Sequence, residues 1–145
     1  MTMRRSRARS GTTLIELLLA LVGSGIMLAM AVLGVMHLRD ALHVRHAARL
    51  LADALGTARS TALAQHGVMQ LVVTPQSLTI RRSRDLADVQ RTPLPPLDAV
   101  DGAPRLHRFA PDGLMLDVGN ATYVLRRGST TRRVIVAKYG RTRIE

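Results

Sequence analysis

The residue that most needs a chemical explanation is Glu16. It stands directly before Leu17–Met36, twenty residues without a charge. An ionised carboxylate in an apolar helix costs several kcal/mol in lipid unless it is paired. Glu16 therefore calls for a specific cationic partner. A second chemistry lies at the other end of the chain. Arg126 to Glu145 hold seven bases (Arg126, Arg127, Arg132, Arg133, Lys138, Arg141 and Arg143) and one acid. In a strand, Arg141 and Arg143 point to the same face, and guanidinium forks there can pair with successive phosphates. No recognition helix accompanies them, so any contact with nucleic acid would be independent of base sequence and sensitive to salt. Two plainer readings compete. One is a charged edge strand that discourages sheet-to-sheet aggregation; the other is contact with acidic neighbouring subunits.

Other chemistries find little support. The chain has no cysteine, which excludes disulfides and thiolate metal sites. His43 and His46 share a helical face without further ligands nearby and read as surface histidines. Asp98, Asp101 and His107 could be imagined as a site, but their Pro-rich setting reads as a solvated loop. There is no nucleophile elbow, Gly-rich phosphate loop or paired carboxylate. The chain is therefore read as a non-enzyme without a cofactor. Phe109, Tyr123 and Tyr139 are its aromatics, too few for a platform that stacks single-stranded bases.

The elements that must position Glu16 and the arginines follow from periodicity. At about 1.5 Å per residue, the uncharged run spans roughly 30 Å, the hydrocarbon thickness of a bilayer. Arg4, Arg5, Arg7 and Arg9 precede it, and the positive-inside rule keeps that end cytoplasmic. A secretory signal would have a shorter apolar core and a small-residue cleavage site. Val44, Ala48, Leu51, Leu55, Ala58 and Ala62 then recur at helical spacing, with Arg45, Arg49, Asp53 and Arg59 largely off that stripe. This second, amphipathic segment (37–66) is expected to end at Gly67. Gly23, Ser24 and Gly25 could loosen the helix. Beyond it come short β runs at 68–74, 77–82, 105–109, 114–118, 121–126, 132–138 and 141–144. Pro75-Gln76 makes a hairpin, and 83–104 is a long polar, Pro-rich loop with at most one short strand. One long helix packed on an antiparallel sheet is an α+β fold.

The stretch Gly11-Thr12-Thr13-Leu14-Ile15-Glu16-Leu17 resembles a type IV prepilin (class III) signal. The resemblance implies that a prepilin peptidase removes residues 1–11, cutting between Gly11 and Thr12, and methylates Thr12. It also implies that Glu16, fifth in the mature chain, neutralises the N-terminal amine of an adjacent subunit as a filament assembles. Residues 12–36 would then serve as inner-membrane anchor and filament core. The sequence departs from the family at Thr12, where Phe is usual, and lacks the Pro often found near mid-helix, where Leu33-Gly34 stands.

The remainder resembles the FimT/GspH minor pilins and pseudopilins. The resemblance rests on Ala58–Gly67 followed by a strand, on Phe109-Ala110-Pro111-Asp112-Gly113, and on the closing hairpin Arg133-Val134-Ile135-Val136 with Gly140-Arg141-Thr142-Arg143. It implies a type IV pilin-like fold with a periplasmic β-rich domain over 67–145, and a minor subunit of a type IV pilus. The alternative is the minor pseudopilin of a type II secretion system. In competent bacteria the Gly-Arg-x-Arg element of FimT-type proteins is associated with DNA binding during uptake. The partners expected are thus prepilin peptidase, other pilins, the inner membrane and double-stranded DNA.

Overall fold

The computed structural model describes residues 13–117, 120–137 and 140–145. Helix α1 runs without interruption over Leu14–Ala64, 51 residues. Thr13 starts it: its carbonyl accepts from the N–H groups of Glu16 and Leu17, and its Oγ1 lies 3.3 Å from the Glu16 nitrogen. This is the cap that a Thr provides at an open helix end. Glu16 falls in the first turn, where the helix dipole favours an acid.

The chain divides after Met36 into two compact units. In the first, the helix exposes its large apolar side chains, from Leu14 and Ile15 through Val35 and Met36. Its most apolar window has a mean hydropathy of 2.4, and none of that window is buried. The helix is therefore long and apolar enough to cross a membrane. Gly23 and Gly25 do not break it. Ser24 is accommodated by donating its hydroxyl to the Leu21 carbonyl at 2.9 Å.

The second unit is His37–Glu145. Here α1 buries Val44, Ala48, Leu51, Leu55, Ala58 and Ala62 as the stripe predicted, with Ala47 and Ala54 added. The helix stops because His66 takes a left-handed conformation (φ 47°), while the Gly67 N–H returns to the Ala62 carbonyl. The reversing residue is therefore His66, not the expected Gly67.

Among the described residues eight strands follow: β1 (Met69–Val73), β2 (Ser77–Arg82), β3 (Asp88–Pro93), β4 (Ala99–Asp101), β5 (Arg105–Phe109), β6 (Ala121–Arg127), β7 (Thr130–Val136) and β8 (Thr142–Ile144). They form two four-stranded sheets, β3-β2-β1-β5 and β4-β6-β7-β8, with antiparallel pairing throughout. Met69, Leu71, Val73, Leu78, Ile80 and Phe109 of the first sheet share one core with Tyr123, Leu125, Val134 and Val136 of the second and with the helix stripe. This is the expected α+β arrangement of one long helix on antiparallel sheet.

Two expectations are corrected. The segment 83–104 is not a loop with at most one strand, for it carries both β3 and β4. β3 is an edge strand, exposed at almost every position, so it has no apolar alternation for a sequence to reveal. Conversely, no strand forms over 114–117. A tight turn, with the Gly113 N–H bonded to the Ala110 carbonyl and Ala110 N–H to that of Leu114, leaves one bridge, Phe109 to Met115. Asp117 then turns its carboxylate back to the Arg108 N–H at 3.0 Å.

Candidate assembly helix and basic surface

Of the residues expected at the processing and assembly end, Gly11 and Thr12 lie outside the described residues, as does Lys138 in the basic tail. Glu16 is described and exposed, in the first turn of an apolar helix. Nothing within its own helix neutralises it.

The basic residues of the second sheet are sorted by strand alternation. In β7, Val134 and Val136 are buried, so Arg133 and Ile135 face outward while Arg132 shares the inward parity. Pairing of Arg143 with Ile135 and of Arg126 with Thr131 sets Arg143 and Arg126 on the outward face too. Arg141 and Arg143, with Ile135, Ala137 and Thr142, line a shallow depression of about 500 Å³. Two of these cations have acid neighbours: Arg143 Nε lies 3.2 Å from Glu145, and Arg126 lies 3.6 Å from Asp101. All four of those side chains are largely exposed, so solvent screens both pairs.

Arg127 is different. Its Nε donates to Asp40 of the helix at 2.7 Å, and its Nη1 donates to the Pro96 carbonyl. Both members of the ion pair are partly buried. Gly128, with φ 54°, itself lies against Asp40, where an added Cβ would come within 2.7 Å of Oδ2, and its N–H donates to Asp98 at 2.7 Å. Arg127 thus clamps the β6–β7 end to the helix and to the β3–β4 connection. Arg132 turns toward Arg45 and Arg49 of the helix.

A polar group that sequence reading misplaced is His107. It does not belong to a solvated loop with Asp98 and Asp101; it is 1% exposed, in β5. Its Nε2 lies 2.6 Å from the Tyr123 hydroxyl, and its Nδ1 lies 3.2 Å from Asp117. A carboxylate can only accept, so Nδ1 donates to Asp117, Nε2 accepts, and the Tyr123 O–H is the donor. Burial lowers the histidine pKa below its ordinary 6.5, against the opposing pull of Asp117. Burial likewise pushes Tyr123 up to about 12. Both groups are therefore neutral near pH 7, as this bonding requires. The sequence signal was the two-residue spacing of His107 from Phe109 in one β run, which sets both on the buried face, a face that a histidine can join when satisfied.

An apolar helix emerging from a small domain of two antiparallel sheets defines a type IV pilin fold. Two crystal forms of the type IV minor pilin FimU of Pseudomonas aeruginosa share it, with TM-scores of 0.59 and 0.57. Each is 19% identical to this chain and covers 70% of it, which corresponds to 87% and 91% of the FimU chains. No family model matches the sequence, and no curated protein does.

Proposed function

We propose that the chain is a minor subunit of a type IV pilus, anchored in the bacterial inner membrane before assembly, with residues 37–145 in the periplasm. The observation that carries this reading is a single one. A continuous helix has in its first turn an acid without an ion pair among the described residues and exposed apolar side chains along its first half, and the domain that follows has a pilin fold. An isolated anchor would have no use for Glu16; a filament core supplies its cation, the amine of the next subunit. That pairing also favours one axial register, since a misplaced subunit leaves a charge unmatched. On this reading prepilin peptidase cuts after Gly11 and methylates Thr12, and the subfamily is that of the FimT/GspH proteins.

Mass spectrometry of the membrane-extracted protein tests processing. The expected N-terminus is methylated Thr12, and a protein retaining Met1, or cut elsewhere, overturns the reading. In the same cells, Glu16→Ala should leave the processed protein in the membrane and deplete it from sheared filaments.

We further propose that double-stranded DNA is a ligand of the outward face, through Arg126, Arg133, Arg141 and Arg143, with Lys138 in the same chain segment. Support comes from the shared outward parity of Arg126, Arg133 and Arg143, from Arg141 lining one depression with Arg143, and from the exposure of the two acid pairs there, which solvent screens. Arg127 is assigned instead to the clamp with Asp40, and Arg132 to the inward side.

A further inference from the structure

Three arginines outside the clamp and the outward face line one pocket. Arg45 and Arg49 stand one turn apart on α1, so their side chains share a helix face. Arg132 reaches the same place from β7. Together with Ile144 of β8 they line a surface pocket of about 280 Å³. None of the three forms an ion pair among the described residues. Of the neighbouring acids, Glu145 pairs with Arg143, and Asp53, exposed one turn beyond Arg49 on the same helix face, forms no ion pair among the described residues.

Three cations lining one pocket repel one another, weakly where they are exposed as Arg45 and Arg49 are, and an anion between them relieves that repulsion. Several other arginines of this domain meet single carboxylates, as Arg81, Arg82, Arg108, Arg126 and Arg127 do. A single carboxylate offers two oxygens, which one guanidinium fork can occupy. A phosphate group offers more acceptors, spread over a tetrahedron, and suits forks that approach from different directions. The pocket is concave, and the aliphatic arm of Ile144 forms part of its wall, leaving room for a substituent on the phosphate.

We propose that Arg45, Arg49 and Arg132 form a binding site for a phosphate group carried by a small ester or by a phospholipid headgroup. This site is separate from the outward arginines and does not depend on the DNA reading.

The test uses the full chain in neutral detergent, with the arginine Nε–Hε signals followed by NMR during titration with inorganic phosphate at low salt. Saturable shifts are expected at Arg45, Arg49 and Arg132. Arg45→Ala/Arg49→Ala should weaken binding by about tenfold or more, because each charge-assisted hydrogen bond lost is worth roughly that factor. Arg45→Lys/Arg49→Lys should fall between, since the charge stays but the forks go. Arg84→Ala/Arg91→Ala removes the same charge from the β2–β3 region and should leave the affinity unchanged. Repeating the experiment in nanodiscs with and without phosphatidylglycerol separates the two sources. Shifts that depend on phosphatidylglycerol identify a headgroup, and their absence there identifies a soluble phosphate. The proposal is overturned if phosphate gives no saturable shift at these arginines, or if the double alanine variant binds equally well. It is also overturned if the signals respond to duplex DNA alone.

Discussion

The Nε2 of His107 and the hydroxyl of Tyr123, 2.6 Å apart, form a buried hydrogen bond between the two sheets. Their rings meet edge to face at 72°. The backbone pairing of each sheet is complete within itself, so this bond and the shared apolar core are what register one sheet on the other. Tyr123→Phe keeps the ring and removes the donor. His107 Nε2 is then buried without a partner, at a cost of about 1–3 kcal/mol. Chemical denaturation of the full chain in detergent should show that loss. A stability equal to wild type would mean that water reaches the site.

The same pair sets a pH dependence. The folded His107 has a pKa below its ordinary 6.5, mainly through burial. Between those two values the unfolded chain binds more protons than the folded one, so stability rises with pH across that window. It should be constant above about pH 6.5, decline as pH falls below it, and level off once the folded group also protonates. Arg105 acts in the same direction as burial, and Asp117 opposes both. His107→Gln should flatten this segment of the profile. A variant that keeps the full wild-type slope would assign the slope to another group.

Asp40 and Arg127 make a second long-range prediction. Their ion pair is partly buried and shares Arg127 with the Pro96 carbonyl. Asp40→Ala leaves a half-buried guanidinium with one acceptor fewer and should cost about 1–3 kcal/mol. Asp101→Ala, at the exposed pair with Arg126, should change stability by about 0.5 kcal/mol or less. Equal effects in the two variants, measured by thermal unfolding, would refute the distinction between clamp and surface pair.

Sequence exposed some of this structure and hid the rest for identifiable reasons. The stripe from Val44 to Ala62 was legible because a helix buries one face against a sheet and repeats every three or four residues. The β1–β2 hairpin was legible because Pro75 and Gln76 interrupt two β-prone runs. Strand β3, by contrast, is exposed on both faces and bonds through its backbone to β2. Backbone pairing leaves no mark on side-chain type. His107, Asp117 and Tyr123 were hidden because a polar side chain shows its type but not its partners, and these lie on different strands or beyond them. The basic tail was legible as a charge, but not as two surfaces. Only strand register divides Arg133 and Arg143 from Arg127 and Arg132.

That division yields the last prediction. If the outward arginines track a DNA backbone, binding should weaken linearly in the logarithm of salt concentration, with a slope that counts the phosphates neutralised. Arg141→Ala/Arg143→Ala removes two candidate contacts, so the slope should fall by about 2 in magnitude, whatever the base sequence of the duplex. Glu145→Gln releases Arg143 from its exposed neighbour at 3.2 Å and should strengthen binding slightly. Asp40→Asn, at the clamp, should leave the slope unchanged, since Arg127 is turned toward the helix. Fluorescence anisotropy of a labelled duplex across a salt series measures all three. Wild-type protein that fails to bind at low salt would end the DNA reading. An unchanged slope in the double variant would move the contact away from β8.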